Sequence, residues 1–390
     1  MSQKIDISII SSGANIADAR LHRITNALLR AGFNVELFAP GDPTQAPSIE
    51  SIASGSLTPT GKLMVRACTS PWTRGKGLIP RYIRSRTFVM RAKGTVVYAI
   101  SPEAYAPALA WVGISKVKKL VGGNKRYFAI DIYEDYLRLL EDRRWAKKYF
   151  GLLGAIARSD TKWALRAAAR ADLTTVADIQ VPPFAARNRV VLRNLPDNSL
   201  LTQSGERSST PRAIYIGDLR ASRGLRTMLD LAAHAQEWHF DLVGPVAAAD
   251  QEFVDQWLRL HGSERVKFHG KLPPRSAWKV AEGAWVGLSL LEPTPAFVEA
   301  VPSKLYEYMA VGLATISTPL PRCVELLALS GAGVVASTSA EMAEILKSWQ
   351  KKPDEIDQIR ARAKAWAEEN LDSMTEYGRL TQEFEKILGR

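Results

Sequence analysis

The chain opens on an apolar run, IDISII (Ile5 to Ile10), followed by a polar Ser-Ser-Gly turn, the segment ARLHRITNALLRAG and a second apolar run, NVELFAP. In the middle segment Leu21, Ile24, Leu28 and Ala31 recur at spacings of three and four, which marks one face of a helix, and Gly32 supplies a C-cap. This pattern predicts strand, helix, strand, the βαβ opening of a parallel sheet. A similar alternation returns in the second half. AIYIG, a helix from Gly224 to Gln236, HFDLVG, a helix over 251–260 and VKFHG come first. A helix over 276–282, WVGLSLL, a helix beginning at Pro302 or Ser303, ATIST, GVVAS and the helix AEMAEILKSW come next. Beyond Pro353 the chain reads as charged helix to its end. Two α/β units of Rossmann type in tandem are the predicted architecture. Residues 194–212, rich in Ser, Thr, Pro and Asn, read as the linker between them. Such a pair is expected to leave a cleft, and ligands of open parallel sheets bind outside the carboxyl ends of the strands. The chemistry is therefore sought in loops that come after strands.

Composition narrows the class without changing this picture. With 390 residues, 46% hydrophobic and 24% charged, the chain has the length for two domains and the make-up of a soluble globular protein. It contains no apolar run of about 18 residues, and MSQKIDISIISSG is not a basic segment followed by a long apolar one, so neither a membrane span nor a secretion signal is expected. Cys68 and Cys323 are the only cysteines and fall in different predicted units, which argues against a disulfide framework or a cysteine metal site and fits a reducing cytoplasm. The charge does change the picture. Residues 1–200 hold 30 Lys and Arg against 15 Asp and Glu, whereas residues 201–390 hold 22 against 25, so the whole excess of +12 lies in the first half. Such asymmetry predicts a negatively charged partner for that half.

One stretch, FVEAVPSKLYEYMAVGLATIST (Phe297 to Thr318), concentrates chemistry. Proline suits the first turn of a helix, so the helix starts at Pro302 or Ser303 just after a strand and loop. Free amides at a helix start carry partial positive charge and bind phosphate, and Ser303 and Lys304 add a hydroxyl and an ammonium. Glu299 lies in the loop before this helix and Glu307 one turn inside it, so the two carboxylates can reach different parts of one extended ligand, accepting from sugar hydroxyls. Taken alone, the spacing occurs by chance in many proteins, and a helix glutamate is usually solvated.

EAVPSKLYEYMAVGLATIST resembles the Glu-x7-Glu segment of GT-B glycosyltransferases, particularly the retaining family-4 type with P-x-K-x-x-E-Y-M-A-x-G before a short strand. The resemblance covers most of the chain: DARLHRITNALLRAGFNVELFAP, ARADLTTVAD and VVLRNLPD in the first half, and YIGDLRASRGL, FDLVGP and VKFHGKLP in the second, in order. It implies a GT-B fold with an acceptor-binding domain over 1–200, a nucleotide-sugar domain over 201–370 and a C-terminal helix, 371–390, packing back on the first. By the same resemblance Glu307 binds the ribose hydroxyls and Glu299 holds hydroxyls of the donor sugar. Amides of Val301, Pro302 and Ser303 approach the diphosphate or sugar, and Gly270, Lys271 and Leu272 meet the base. The loop after the first donor-domain strand, Gly217 to Gly224, supplies cations for the departing diphosphate. Arg223 aligns with the family's usual lysine, but Asp218 stands where many members have an arginine, leaving Arg220 and Lys304 to share that work.

For the acceptor side, Gly13 offers a small residue where a ligand approaches backbone. The family's histidine after a middle strand of this domain is missing: the chain reads VVYAISPEAY there, with Ser101, Pro102 and Glu103. His22, on the first helix, is the one histidine of this half and more in keeping with packing than catalysis. In IDIYEDY, Asp131, Glu134 and Asp135 come after a strand and can orient an acceptor hydroxyl, Glu134 being the first choice for the catalytic role. Absence of Asp-x-Asp, His-x-x-x-His and cysteine clusters leaves no requirement for a metal or other cofactor. The donor is expected to be a UDP- or GDP-linked sugar. The resemblance further implies retention by front-face attack.

Two basic stretches interleave aromatics, Pro71 to Gly94 with Trp72, Tyr82 and Phe88, and Glu141 to Trp163 with Trp145, Tyr149 and Phe150. They suit anionic lipid headgroups, and a lipid-linked or membrane-associated saccharide acceptor explains them, placing the enzyme on the inner face of the cell membrane in surface polysaccharide or glycoconjugate synthesis. No nucleic-acid motif accompanies the charge. A nucleotide-sugar epimerase and a non-catalytic partner-binding subunit of the same fold are the alternatives.

Overall fold

The computed structural model describes residues 4–13, 16, 18–47, 60–66, 78–119, 125–142, 151–196, 198 and 201–390. They form two compact units, Met1–Asn194 with Met374–Arg390, and Leu195–Ser373. The boundaries drawn from the sequence were 200/201 and 370/371.

In the first unit seven parallel strands stand in the order β3-β2-β1-β4-β5-β6-β7: β1 Ile7–Ile10, β2 Val35–Phe38, β3 Leu63–Arg66, β4 Val96–Ala99, β5 Tyr127–Ile132, β6 Leu173–Val176 and β7 Arg189–Val191. Their side chains alternate between two apolar layers, as a parallel sheet covered on both faces requires. Ile7, Ile9, Val96 and Tyr98 enter one core with α1 (Ala19–Arg30), whereas Ile10, Val97 and Ala99 enter the other with α2 (Leu78–Arg91), α3 (Tyr105–Lys119) and α5 (Leu152–Ala169). A short α4 (Tyr136–Asp142) comes after β5. Asp18 caps α1 by accepting from the Leu21 amide.

The second unit has six parallel strands in the order β10-β9-β8-β11-β12-β13: β8 Arg212–Ile216, β9 His239–Val243, β10 Val266–Gly270, β11 Val286–Ser289, β12 Ala314–Ser317 and β13 Gly333–Val335. On one face lie α6 (Leu225–His234), α7 (Gln251–His261) and α11 (Ser339–Lys351); on the other lie α8 (Pro274–Lys279), α9 (Ser303–Ala310) and α10 (Pro321–Ser330), while α12 (Pro353–Asn370) joins the first core through Ile356 and Ile359 and the second through Ala363 and Ala367. The last helix, α13 (Ser373–Leu388), sets Tyr377, Leu380 and Phe384 into the β1, β2 and β4 core of the first unit. In each sheet the strand order reverses beside the first strand, between β1 and β4 and between β8 and β11, which is where such folds bind ligands.

The polar segment 194–212 is not a free linker. Ser204 is buried, its amide and hydroxyl donate to the Val311 carbonyl, and its hydroxyl accepts from the buried Arg360. Serine hydroxyls here tie the chain to the second unit, where composition alone predicted solvated loop.

Candidate functional site

In the second unit the loops after β8, β9, β10 and β11 meet. The Gly244 amide donates to the Gly270 carbonyl, and the Gly217 amide to that of Val243, so the ends of β8, β9 and β10 are laced together. A Cβ on Gly244 would collide with the Gly217 carbonyl; only a glycine allows this approach. On the other side Gly224 (φ +84°) opens α6, and a Cβ there would strike the Leu290 carbonyl after β11. The Glu292 amide donates to the Ser222 carbonyl, closing this seam. Gly217, Arg220, Arg223, Gly270 and the segment leading to Glu299 are thus gathered at one end of the sheet.

Arg220 and Arg223 are both half-buried in the single 3₁₀ turn after β8. Burial pushes the Tyr215 phenol up, against the pull of Arg223 beside it. Asp218 is exposed, and its carbonyl accepts from the Tyr215 hydroxyl.

After β11 a compact turn (Phe297 and Val298 amides to the Thr294 carbonyl) carries the half-buried Glu299 to an extended Val301-Pro302 and the start of α9 at Ser303. Pro302 has no N–H, so of the predicted amides only those of Val301 and Ser303 remain as donors, joined by Lys304; this corrects the expectation for Pro302, whose part is to fix the approach to the helix. Burial of Leu305, Tyr308 and Met309 seats α9, each contributing about 1.5–3 kcal/mol. The Tyr308 ring lies on Gly287, where any Cβ would clash, and its hydroxyl donates to the Leu288 carbonyl at 3.2 Å. Glu307 sits one turn inside α9 and is ion-paired with Lys304, whose ammonium also lies 5.5 Å from the centre of the Trp278 ring. Trp278 and Leu272 share one apolar cluster with Tyr308, so the loop Gly270-Lys271-Leu272 and the start of α9 are neighbours. Trp278 and Gly244 were not singled out from the sequence. A glycine ending the strand FDLVG was the one available signal.

The predicted acceptor residues part company. Gly13 and Glu103 are together: the Ser12 and Gly13 amides both donate to the Ser101 hydroxyl at 3.0 Å, and the Glu103 carboxylate lies 3.6 and 3.7 Å from where a Cβ on Gly13 would stand. Arg81 approaches Glu103 at 3.5 Å, and the second Glu103 oxygen is buried with no hydrogen-bond partner among the described residues. Asp131 is a correction. It is fully buried, both oxygens are held by Arg20 at 2.6 and 2.8 Å, and Thr175 donates to it at 2.6 Å, so its charge is spent inside the unit and no surface is left for an acceptor. His22, the other acceptor-side candidate, serves packing as its place on the helix suggests and drops from the acceptor set, since its Nε2 donates to the Ile16 carbonyl at 2.8 Å at the entrance of α1. Glu134 is exposed after β5, where its charge adds to burial in pushing the Tyr133 phenol up to about 12. Trp72, Trp145, Tyr149, Phe150 and Cys68 lie outside the described residues.

The arrangement of the chain repeats in a set of solved structures. The fold is GT-B. Anabaena HepE in complex with UDP and glucose superposes with a TM-score of 0.69 at 17% identity, covering 98% of this chain and all of HepE. Sucrose-phosphate synthase from Thermosynechococcus elongatus gives 0.70 at 12%, with 99% of each chain covered. A glycosyltransferase from Rickettsia africae gives 0.60 at 11%, covering 100% and 99%. Residues 220–377 match a family model described as glycosyl transferase-like, which spans the loops of Arg220 and Arg223, α9 and most of the second sheet. No curated protein matches the sequence significantly.

Proposed function

We propose that this GT-B chain is a glycosyltransferase that moves a sugar from a nucleotide-sugar to a membrane-associated saccharide or lipid-linked acceptor, with retention and without a metal ion. The observation carrying the donor half is the start of α9: the amides of Val301 and Ser303 with Lys304, Glu299 and Glu307, beside a glycine-laced loop bearing Arg220 and Arg223. That HepE is solved with UDP and with UDP-glucose supports a nucleotide-sugar. In this reading Glu307 accepts from the ribose hydroxyls, Glu299 from the sugar, and Gly270, Lys271 and Leu272 line the base. The bond from the anomeric carbon to the diphosphate breaks, the acceptor oxygen bonds to that carbon on the same face, and its proton passes to the departing diphosphate. Arg223, Arg220, Lys304 and the amides of Val301 and Ser303 neutralise that leaving group, in the way fixed donors aimed at developing charge lower barriers.

For the acceptor, the reading keeps Gly13, Glu103 and the exposed Glu134. Helices α2 and α5 support a membrane-associated substrate. Tyr82, Ile83 and Met90 are exposed on α2 with Arg86 and Arg91, and Leu152, Ile156 and Trp163 on α5 with Arg158, Lys162 and Arg166. Leu152, Ile156 and Trp163 fall on one helical stripe, as in helices that lie in a lipid interface. The reading places the enzyme on the inner membrane face in surface polysaccharide or glycoconjugate synthesis. The test is turnover of UDP- and GDP-sugars in the presence of membrane lipid extract and EDTA, with product analysis. A glycoside product of unchanged anomeric configuration, lost in Glu307→Ala, is expected; an isomerised nucleotide-sugar without an acceptor would point to an epimerase, and no glycoside from wild type with any donor, or full turnover in Glu307→Ala, would refute the proposal.

A further inference from the structure

The edge strand β10 is irregular at one residue. Phe268 pairs with Leu242 and Gly270 with Val243, so His269 is an extra residue, a β-bulge immediately before the loop Gly270-Lys271-Leu272. Bulges bend a strand and re-aim the loop beyond it, and an edge strand has a neighbour on only one side to hold such a bend. Here the bend is held by a side chain. His269 Nε2 donates to Asp241 Oδ1 at 2.7 Å, with Asp241 projecting from β9 and only 8% exposed.

The other oxygen of the same carboxylate works at the far end of the segment. Arg212 donates to Asp241 Oδ2 from Nε at 2.9 Å and from Nη2 at 2.6 Å. Its guanidinium then reaches the chain just beyond α8, donating to the carbonyls of Val280 at 2.7 Å and Glu282 at 2.9 Å. One buried carboxylate therefore closes both ends of the stretch 269–282. Within that stretch lie the loop that the donor reading sets against the base and Trp278, the ring under Lys304. Charged, hydrogen-bonded groups at this degree of burial are costly unless they are paired, and here each Asp241 oxygen has a donor.

We infer that Asp241, with His269 and Arg212, is a specificity-determining clamp that sets the position of the base-recognising loop in the nucleotide-sugar site. None of the three touches the reacting atoms; they act through Gly270-Lys271-Leu272, as outer-shell groups act through the ligands they orient. The inference rests on the donor-site reading of that loop. It separates the base, which depends on the clamp, from the diphosphate seat, whose helix α9 is anchored by Leu305 and Met309 in a cluster apart from the clamped stretch.

The experiment is calorimetric titration of full-length protein with UDP, GDP and inorganic pyrophosphate, alongside its melting temperature. In His269→Leu the nucleoside diphosphate that wild type prefers is expected to bind about tenfold more weakly, with the preference between bases narrowed and pyrophosphate affinity unchanged. His269→Gln, whose amide Nε2 can donate to Asp241 as the imidazole does, is expected to restore wild-type discrimination. Asp241→Ala, which removes the acceptors of both Arg212 and His269, is expected to reproduce the leucine phenotype and serves if His269→Leu does not fold. Unchanged base preference in folded His269→Leu, an equal loss of pyrophosphate binding, or failure of the glutamine to rescue would overturn the clamp while leaving the donor site standing. A wild-type protein that binds neither nucleoside diphosphate would remove the donor reading itself, and the clamp with it.

Discussion

Asp131 and Glu307 are both carboxylates near the carboxyl edge of a parallel sheet, one in each unit, and their circumstances are opposite. Asp131 lies inside β5, one residue before its end, where Arg20 from the first helix meets both its oxygens and Thr175 adds a third bond. Glu307 is carried past its strand onto α9 and is paired with the half-buried Lys304, a cation that can turn to a diphosphate when one arrives. A carboxylate inside a strand becomes an internal strut when a buried arginine reaches it, whereas one carried past its strand onto a helix stays available, as the proposed role of Glu307 requires. The wider contrast runs along the same line. In the second unit glycines clear backbone paths between the loops, while in the first the equivalent end is filled by Ser101, Glu103, Arg81 and the Arg20 network.

The sharpest way to break this comparison is to remove the strut. Asp131→Ala leaves Arg20 buried without its carboxylate, and is expected to cost about 3–5 kcal/mol of stability, read as a lower urea midpoint, with UDP-sugar affinity of the folded protein unchanged. A small loss of stability with loss of acceptor use would return Asp131 to the acceptor site. Next in size, Arg223→Ala is expected to lower kcat by about 10²–10³ with little change in KM for the donor, because the charge it meets develops as the diphosphate leaves. An effect confined to KM would make it a ground-state binding group.

A third test concerns how the first unit holds its last helix. Burial works to raise the Glu376 carboxyl, but the Arg193 side chain at 3.1 Å and the Arg193 amide at 2.9 Å outweigh it and hold the carboxyl below its usual value. A carboxyl depressed in the folded state contributes stability that is complete above its unfolded pKa and is lost as pH falls through the folded one. Thermal unfolding followed from pH 7 downward is therefore expected to steepen below about pH 4.5, and Glu376→Gln to be less stable at neutral pH with a shallower acid limb. Smallest is the membrane contrast. Wild type is expected to bind phosphatidylglycerol vesicles in a salt-sensitive way, each cation contributing on the order of 1 kcal/mol, and Ile156→Ser with Trp163→Ser to weaken binding several-fold. Binding that survives 1 M salt, or is indifferent to those two residues, would detach α5 from the lipid.

How far the sequence foretold this depends on how local each feature is. The βα alternation, the helix starting at Ser303 and the eight-residue spacing of the glutamates are written in short stretches, and each is present. Pro302 is the local exception, since three consecutive residues there supply two amides rather than three. What could not be read were pairings across long separations. Arg20 meets Asp131 from 111 residues away, Gly13 meets Ser101 from 88 away, and Asp241 joins residues on either side of it. Periodicity predicts which face of an element is buried, but the partner of a buried charge is set by topology, so Asp131 reads as a candidate ligand until Arg20 is beside it. Serines in 194–212 mislead for the same reason, since Arg360, 156 residues beyond Ser204, makes that serine structural.

The central claim is that the start of α9 is the nucleotide-sugar seat, and the most direct test is calorimetric titration of UDP-glucose and GDP-mannose into wild type and Glu307→Ala. One of the two is expected to bind wild type with one site per chain, and Glu307→Ala to weaken that binding about a hundredfold, the loss of charge-assisted bonds to two ribose hydroxyls. Equal affinity in the two proteins, or no binding of either nucleotide-sugar to wild type, would contradict it.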